Sequence, residues 1–357
     1  MSHSRGGTRE TVESQEELDI ASSLSIHLQF DRKIEREKLV QICESIQINV
    51  SMNQNESLVY AHIEENNELT ICSDKHVVHF CPPAFEQKTL ISGGPYIFST
   101  AFNGLIGAIA NSDTPPYTNS FLLIFQQGTG IFLKNLEFVK PITGLQSTTL
   151  HVFVSMDLII QVLDAKTDQI ISTINRQFPN GLFSATCKYF VWPDEAHRGE
   201  LFIATVPEFS VLNKIKCHSG SLQNLAISQE NKVVLTCSSK GTLIRVFDLE
   251  NGKKIGEHRR GFKPGTILSM DSRGGLICAC TATTIHVFTI SGGHLTIQPP
   301  GIPLNCKFDP NMLSVVTQNG LLSIYQLDLV NMTAEMKSQS RLLSGIIPKR
   351  RTRRTTI

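Results

Sequence analysis

Short apolar runs return along this chain at a nearly constant interval, and that periodicity limits its fold more than any single motif does. They are His76 to Phe80, Phe121 to Phe125, Ile159 to Leu163, Leu201 to Val206, Leu243 to Phe247, Thr284 to Phe288 and Leu321 to Tyr325. A spacing of about 40 residues between β-type runs is the signature of a WD-repeat propeller, in which each repeat supplies one four-stranded blade. Seven runs predict seven blades, so the expected fold is an all-β, seven-bladed β-propeller. The Trp-Asp dipeptide of such repeats is absent, and Val246-Phe247-Asp248 stands in its place. The single Trp, at 192, lies outside a repeat anchor.

The expected organisation is a polar N-terminal tail over 1–20, the propeller over 21–335 and a basic C-terminal tail over 336–357. A ring has to hide its edge strands, so Leu24 to Phe30 is expected to pair with the last blade. Strand positions between Leu39 and Asn67 are poorly marked. With 33 Lys and Arg against 32 Asp and Glu, the net charge is +1. There is no global attraction to nucleic acid or membranes, and any anion binding has to be local. No apolar run approaches the ~20 residues of a membrane helix, and no signal core opens the chain, so a membrane role would be peripheral. Nine cysteines without regular pairing suggest reduced thiols in a cytosolic protein.

Catalytic signatures are missing. Gly-x-Ser-x-Gly, Gly-x-x-x-x-Gly-Lys-Ser/Thr and His-Glu-x-x-His do not occur, so no catalytic residues and no cofactor are assigned. Cys72, His76, His79 and Cys81 lie close in sequence, but strand alternation sends His76 and His79 to opposite faces, which argues against zinc. Cys278 and Cys280 share one strand face and read as core.

The densest collection of anion-binding groups runs from Cys237 to Met270. A turn at Ser238-Ser239-Lys240-Gly241-Thr242 leads into the strand Leu243 to Asp248, and Arg259-Arg260-Gly261 follows. In an extended backbone, alternation would send the two guanidinium groups to opposite sides, so one doublet would serve two solvent-facing pockets. Guanidinium forks match phosphate oxygens in pairs, and Lys and hydroxyl groups complete such a cradle. The competing reading is a solvated Arg pair, with Ser238 and Thr242 as turn residues and His218 in a hydrogen bond between repeats.

These residues resemble the signature of the PROPPINs, β-propellers that bind polyphosphoinositides. The run from Ser238 to Asp248 and then Arg259-Arg260-Gly261 carry the likeness, with His258 where the family has Phe or Leu. Pro264 to Leu268 is similar to the shorter-chain WIPI branch. Gly93-Gly94, Phe102 to Gly107, Pro115-Pro116, Asn119 and Leu136-Glu137-Phe138 are similar to the family's second blade.

The resemblance implies two phosphoinositide sites. His218, Ser238, Lys240, Thr242, Arg245 and Arg259 correspond to the first, which is complete. Arg260, Thr281, Thr284 and His286 correspond to the second, which is weaker, since Cys280 to Thr284 replaces a Ser-Asp-Lys-Gly-Thr turn and Lys263 an acidic or His position. The family's long membrane-inserting hairpin of blade six shrinks here to Ser291-Gly292-Gly293-His294-Leu295. The implied protein is a non-enzymatic autophagy effector, cytoplasmic and peripheral on preautophagosomal and endosomal membranes. It would bind phosphatidylinositol 3-phosphate and phosphatidylinositol 3,5-bisphosphate and recruit an autophagy lipid-transfer scaffold, with no nucleic-acid partner. The alternative is a WD-repeat protein-interaction scaffold without lipid binding. On this reading, replacing both arginines leaves the fold intact.

Overall fold

The computed structural model describes residues 58–342, apart from 65–67, 83–84, 176–180, 229, 231 and 310–311. Each expected apolar run is the third strand of a four-stranded antiparallel sheet, and the described residues form seven such sheets. Blade five shows the plan. Its strands, from the centre outwards, are Leu222–Ser228, Val233–Ser238, Leu243–Asp248 and Lys254–Arg259.

Position in the blade explains why each strand reads as it does. Second strands such as Val233–Ser238 and His151–Met156 are buried throughout, because neighbouring blades cover both faces. Outer strands are largely exposed, and Ile170–Asn175, Val211–Lys216 and Lys254–Arg259 share one alternation in which every second inward position is only partly covered. The acidic residue ending the third strand closes the hairpin that follows. Asp248 Oδ1 accepts from the Glu250 and Asn251 amides, and Asp164 and Asp328 do the same in blades three and seven. Such Asx turns are why this position recurs in the sequence.

Side chains of the inner strands clasp neighbouring blades. Gln146 bonds both backbone groups of Ala185, Ser184 Oγ accepts from the Ile227 amide, and Asn224 Nδ2 donates to the Ile267 and Leu268 carbonyls. Asp271 Oδ2 accepts from the Phe308 amide. The first and last blades meet where the Leu58 amide donates to Gln318 O, and the inner strands surround a central cavity of about 300 Å³.

The outer strand of blade seven, Thr333–Arg341, runs past the expected boundary at 335, and Arg341 pairs with Leu321. Outer strands lie on the rim and tolerate polar side chains, so this strand has the composition of a tail. Leu24 to Phe30 and the terminal tails lie outside the described residues.

Candidate functional site

The turn after the second strand of blade five needs a left-handed residue, and Gly241 supplies it at φ +58. A Cβ at Gly241 would run into the carbonyl oxygen of Gly265. This contact brings the 240–242 turn against the segment leaving the outer strand, since the Arg260 amide donates to Thr242 O and the Gly265 amide to Lys240 O. Leu243 pairs with Arg259. The turn and the Arg doublet therefore form one rim structure.

The two arginines have different environments. Arg259 is exposed and lies with its guanidinium carbon 5.3 Å from the Phe262 ring, and its side chain makes no hydrogen bond or ion pair among the described residues. Lys240 and Lys263 are likewise exposed and unpaired among the described residues. Arg260 instead folds back, its Nε donating to Gly241 O at 2.7 Å and its Nη2 to Lys263 O at 2.5 Å. The chain leaves the strand at this point, so alternation sends only Arg259 to open solvent. The expectation of two solvent-facing guanidinium groups is corrected here: Arg260 braces the loop.

The remaining residues assigned to the first site also differ in role. Ser238 ends its strand and is buried, Thr242 is half-buried in the turn, and their hydroxyls form no side-chain hydrogen bond among the described residues. Arg245 is half-buried, with Nε 2.8 Å from Glu257 Oε2 and Nη1 2.5 Å from Cys217 O. That pairing, with a second contact from Lys254, holds the Glu257 carboxyl below its usual range. His218 is buried, and its Nε2 lies 3.0 Å from Thr236 Oγ1. Burial, with the Arg245 charge second, lowers its pKa to about 4, so it is neutral at physiological pH. His218 and Arg245 thus stand behind the turn, while Lys240, Arg259, Ser238 and Thr242 present free groups.

Of the residues assigned to the second site, Thr281, Thr284 and His286 meet in one relay, while Arg260 is engaged with backbone. Thr281 Oγ1 donates to Thr284 O, Thr284 Oγ1 lies 2.9 Å from His286 Nε2, and His286 Nδ1 lies 3.0 Å from His294 Nε2. Burial, then His294 and the Arg260 charge, lowers the His286 pKa to about 4. The Thr281 and Thr284 hydroxyls and both ring nitrogens of His286 already have protein partners. His294 was missed in the sequence because it lies on the next strand, and its partnership depends on the His286–Thr296 register. His258, the departure from the family pattern, packs its ring 5.2 Å from that of Phe288 at a 35° tilt.

Three other groups bring ligand-type side chains together among the described residues: Cys278, Cys280 and Cys306; Glu68, His79 and Cys81; and Asp194, His197 and Glu200. Cys72 and His76 do not join His79 and Cys81, which point to Glu68 instead. None of the eight described cysteines forms a disulfide.

The PROPPIN family model matches residues 96–303, more than half of the chain. Autophagy-related protein 18 of Dictyostelium discoideum is 29% identical over 206 residues, covering 56% of this chain and 55% of that protein. Autophagy-related protein 21 of Schizosaccharomyces pombe is 27% identical over 180 residues, covering 49% and 54%. The chain spans about half the length of these curated relatives. Among solved structures, Kluyveromyces lactis Hsv2 matches with a TM-score of 0.68 at 15% identity, over 81% of this chain and 100% of that one. KlAtg21 in complex with the coiled-coil of AgAtg16 matches with a TM-score of 0.69 at 15% identity, over 80% and 99%.

Proposed function

The chain belongs to the PROPPIN family, and from that premise we propose that it is a non-enzymatic autophagy effector that binds phosphatidylinositol 3-phosphate, and also the 3,5-bisphosphate, on a membrane surface. The observation that carries this reading is the set of unpaired groups on one braced turn: Arg259 and Lys240 for charge, Ser238 and Thr242 for hydroxyl bonds. Two neighbouring cations are paired instead, Arg245 and Lys254, both with Glu257. A phosphomonoester would supply several charge-assisted hydrogen bonds where the protein leaves them open. Arg245 and His218 support the turn from behind.

The second site contributes less, because Thr281, Thr284, His286 and Arg260 are engaged with one another or with backbone. The protein is then peripheral, held on preautophagosomal and endosomal membranes by one main headgroup site, and it recruits further autophagy factors, a lipid-transfer scaffold among them. No helix among the described residues is long and apolar enough to cross a membrane. The test is flotation with liposomes across the phosphoinositide series. Binding that follows the 3-phosphate is the expected result, and binding without headgroup selectivity would leave a protein-interaction scaffold in its place.

A further inference from the structure

Building on the membrane reading above, we propose that Phe262 is a preformed interfacial anchor that inserts into an anionic bilayer beside the headgroup site. At 87% exposure it is the most exposed aromatic among the described residues, ahead of Phe132 at 46% and Tyr117 at 39%. An isolated exposed Phe in a mobile loop would carry little information. This one sits at the apex of the connection between blades five and six, whose two ends are fixed to the 240–242 turn by the Arg260 and Gly265 amides and by the Arg260 guanidinium. The apex stands clear of the body, since a Cβ at Gly261 would meet nothing within 4 Å. Little ordering entropy is therefore lost when the ring is buried.

Charge identifies the occupant. The apex from Arg259 to Gly265 carries three cationic side chains and no carboxylate. The Arg259 guanidinium lies 5.3 Å from the ring, within cation–π reach. A partner that buries the ring must also offer anions only a few ångströms away. The boundary between headgroups and acyl chains does this, since a ring entering it to a depth of about 5–10 Å leaves its basic neighbours among the phosphates. Phe262 would supply apolar contact that the short blade-six hairpin, Thr289 to His294, has no length to provide.

The test uses the full chain and two ligands: vesicles of phosphatidylcholine and phosphatidylserine containing phosphatidylinositol 3-phosphate, and the soluble short-chain form of that lipid in titration calorimetry. Phe262→Ala should bind the soluble lipid as the parent does and the vesicles about tenfold more weakly, the loss expected for partial burial of one aromatic ring. Phe262→Trp provides a direct readout because the native Trp192 is buried. Its emission should shift to the blue on vesicles and be quenched by brominated acyl chains. Parent-like vesicle binding by Phe262→Ala, or an unshifted Trp emission, overturns the anchor and leaves the ring to a protein partner. Equal loss for both ligands also overturns it, placing Phe262 within headgroup recognition. If the parent itself binds neither ligand, the headgroup reading fails together with the anchor, an outcome distinct from the parent binding both.

Discussion

Arg260 and Arg259 are adjacent in sequence, yet the structure predicts that their replacement by alanine has different consequences for stability. Arg260 donates two charged hydrogen bonds to backbone carbonyls, at 2.7 Å to Gly241 and 2.5 Å to Lys263. Each bond of this type contributes about 1.5–3 kcal/mol when well shielded. The guanidinium is partly exposed, so the pair together should contribute about 2–3 kcal/mol, at the lower end of that scale. Arg259 makes no such bond among the described residues, and its removal should change stability by no more than about 0.5 kcal/mol. In urea, with an m-value of about 3 kcal/mol/M, the midpoint for Arg260→Ala should fall by about 0.7–1 M while that for Arg259→Ala stays in place. Hydrogen exchange should locate the effect, since the Gly265 amide, bonded to Lys240 O, loses protection only when the brace is removed. Arg260→Lys should resemble Arg260→Ala, because an ammonium lacks the fork that reaches both carbonyls. Equal midpoints for the two alanine variants would refute the bracing role. Replacing both arginines should therefore destabilise the fold, contrary to the expectation from sequence that it stays intact.

Headgroup affinity should show the opposite order to stability, with Arg259→Ala costing about 1.5–3 kcal/mol in calorimetry with soluble phosphatidylinositol 3-phosphate, and stoichiometry close to one per chain; two equivalent sites would contradict the closed relay at His286. Vesicle binding should weaken steeply from low to high salt, because Lys240, Arg259 and Lys263 are exposed and screened within about 10 Å at 0.1 M; flotation in a salt series measures this. Gly241→Ala should abolish headgroup binding and lower the melting temperature, since the added methyl group meets Gly265 O and the residue has φ +58. For His218 the folded pKa of about 4 lies below the unfolded value of about 6.5, so the unfolded chain binds more protons between these limits. Stability is then full above pH ~6.5 and declines as pH falls toward 4, by about 3 kcal/mol for this residue. His286 acts in the same direction. A His218→Gln variant should show a shallower decline in denaturation measured against pH.

Repeat spacing made the ring legible because it reports the third strands, whose apolar positions such as Ile244, Val246 and Phe247 are buried in every turn of the repeat plan. Outer strands carry a weaker signal. Thr333–Arg341 is polar because the rim permits it, so composition alone assigns most of it to a tail. At the site, residue type marked the correct turn but not the direction of each group. Alternation assumes that the strand continues, whereas the chain turns at Arg260 and fixes its guanidinium on the carbonyl of Gly241, nineteen residues earlier. His286 and His294 likewise meet through strand register, which sequence separation does not reveal. Phe262 had a visible signal, an aromatic residue between Gly261 and Lys263-Pro264 in a segment that should be polar. Its meaning depended on the brace: without Arg260 holding the loop, an exposed ring is merely mobile, and with it the ring and the Arg259 charge share one fixed edge. One arginine of the doublet therefore shapes the surface from which the other is presented.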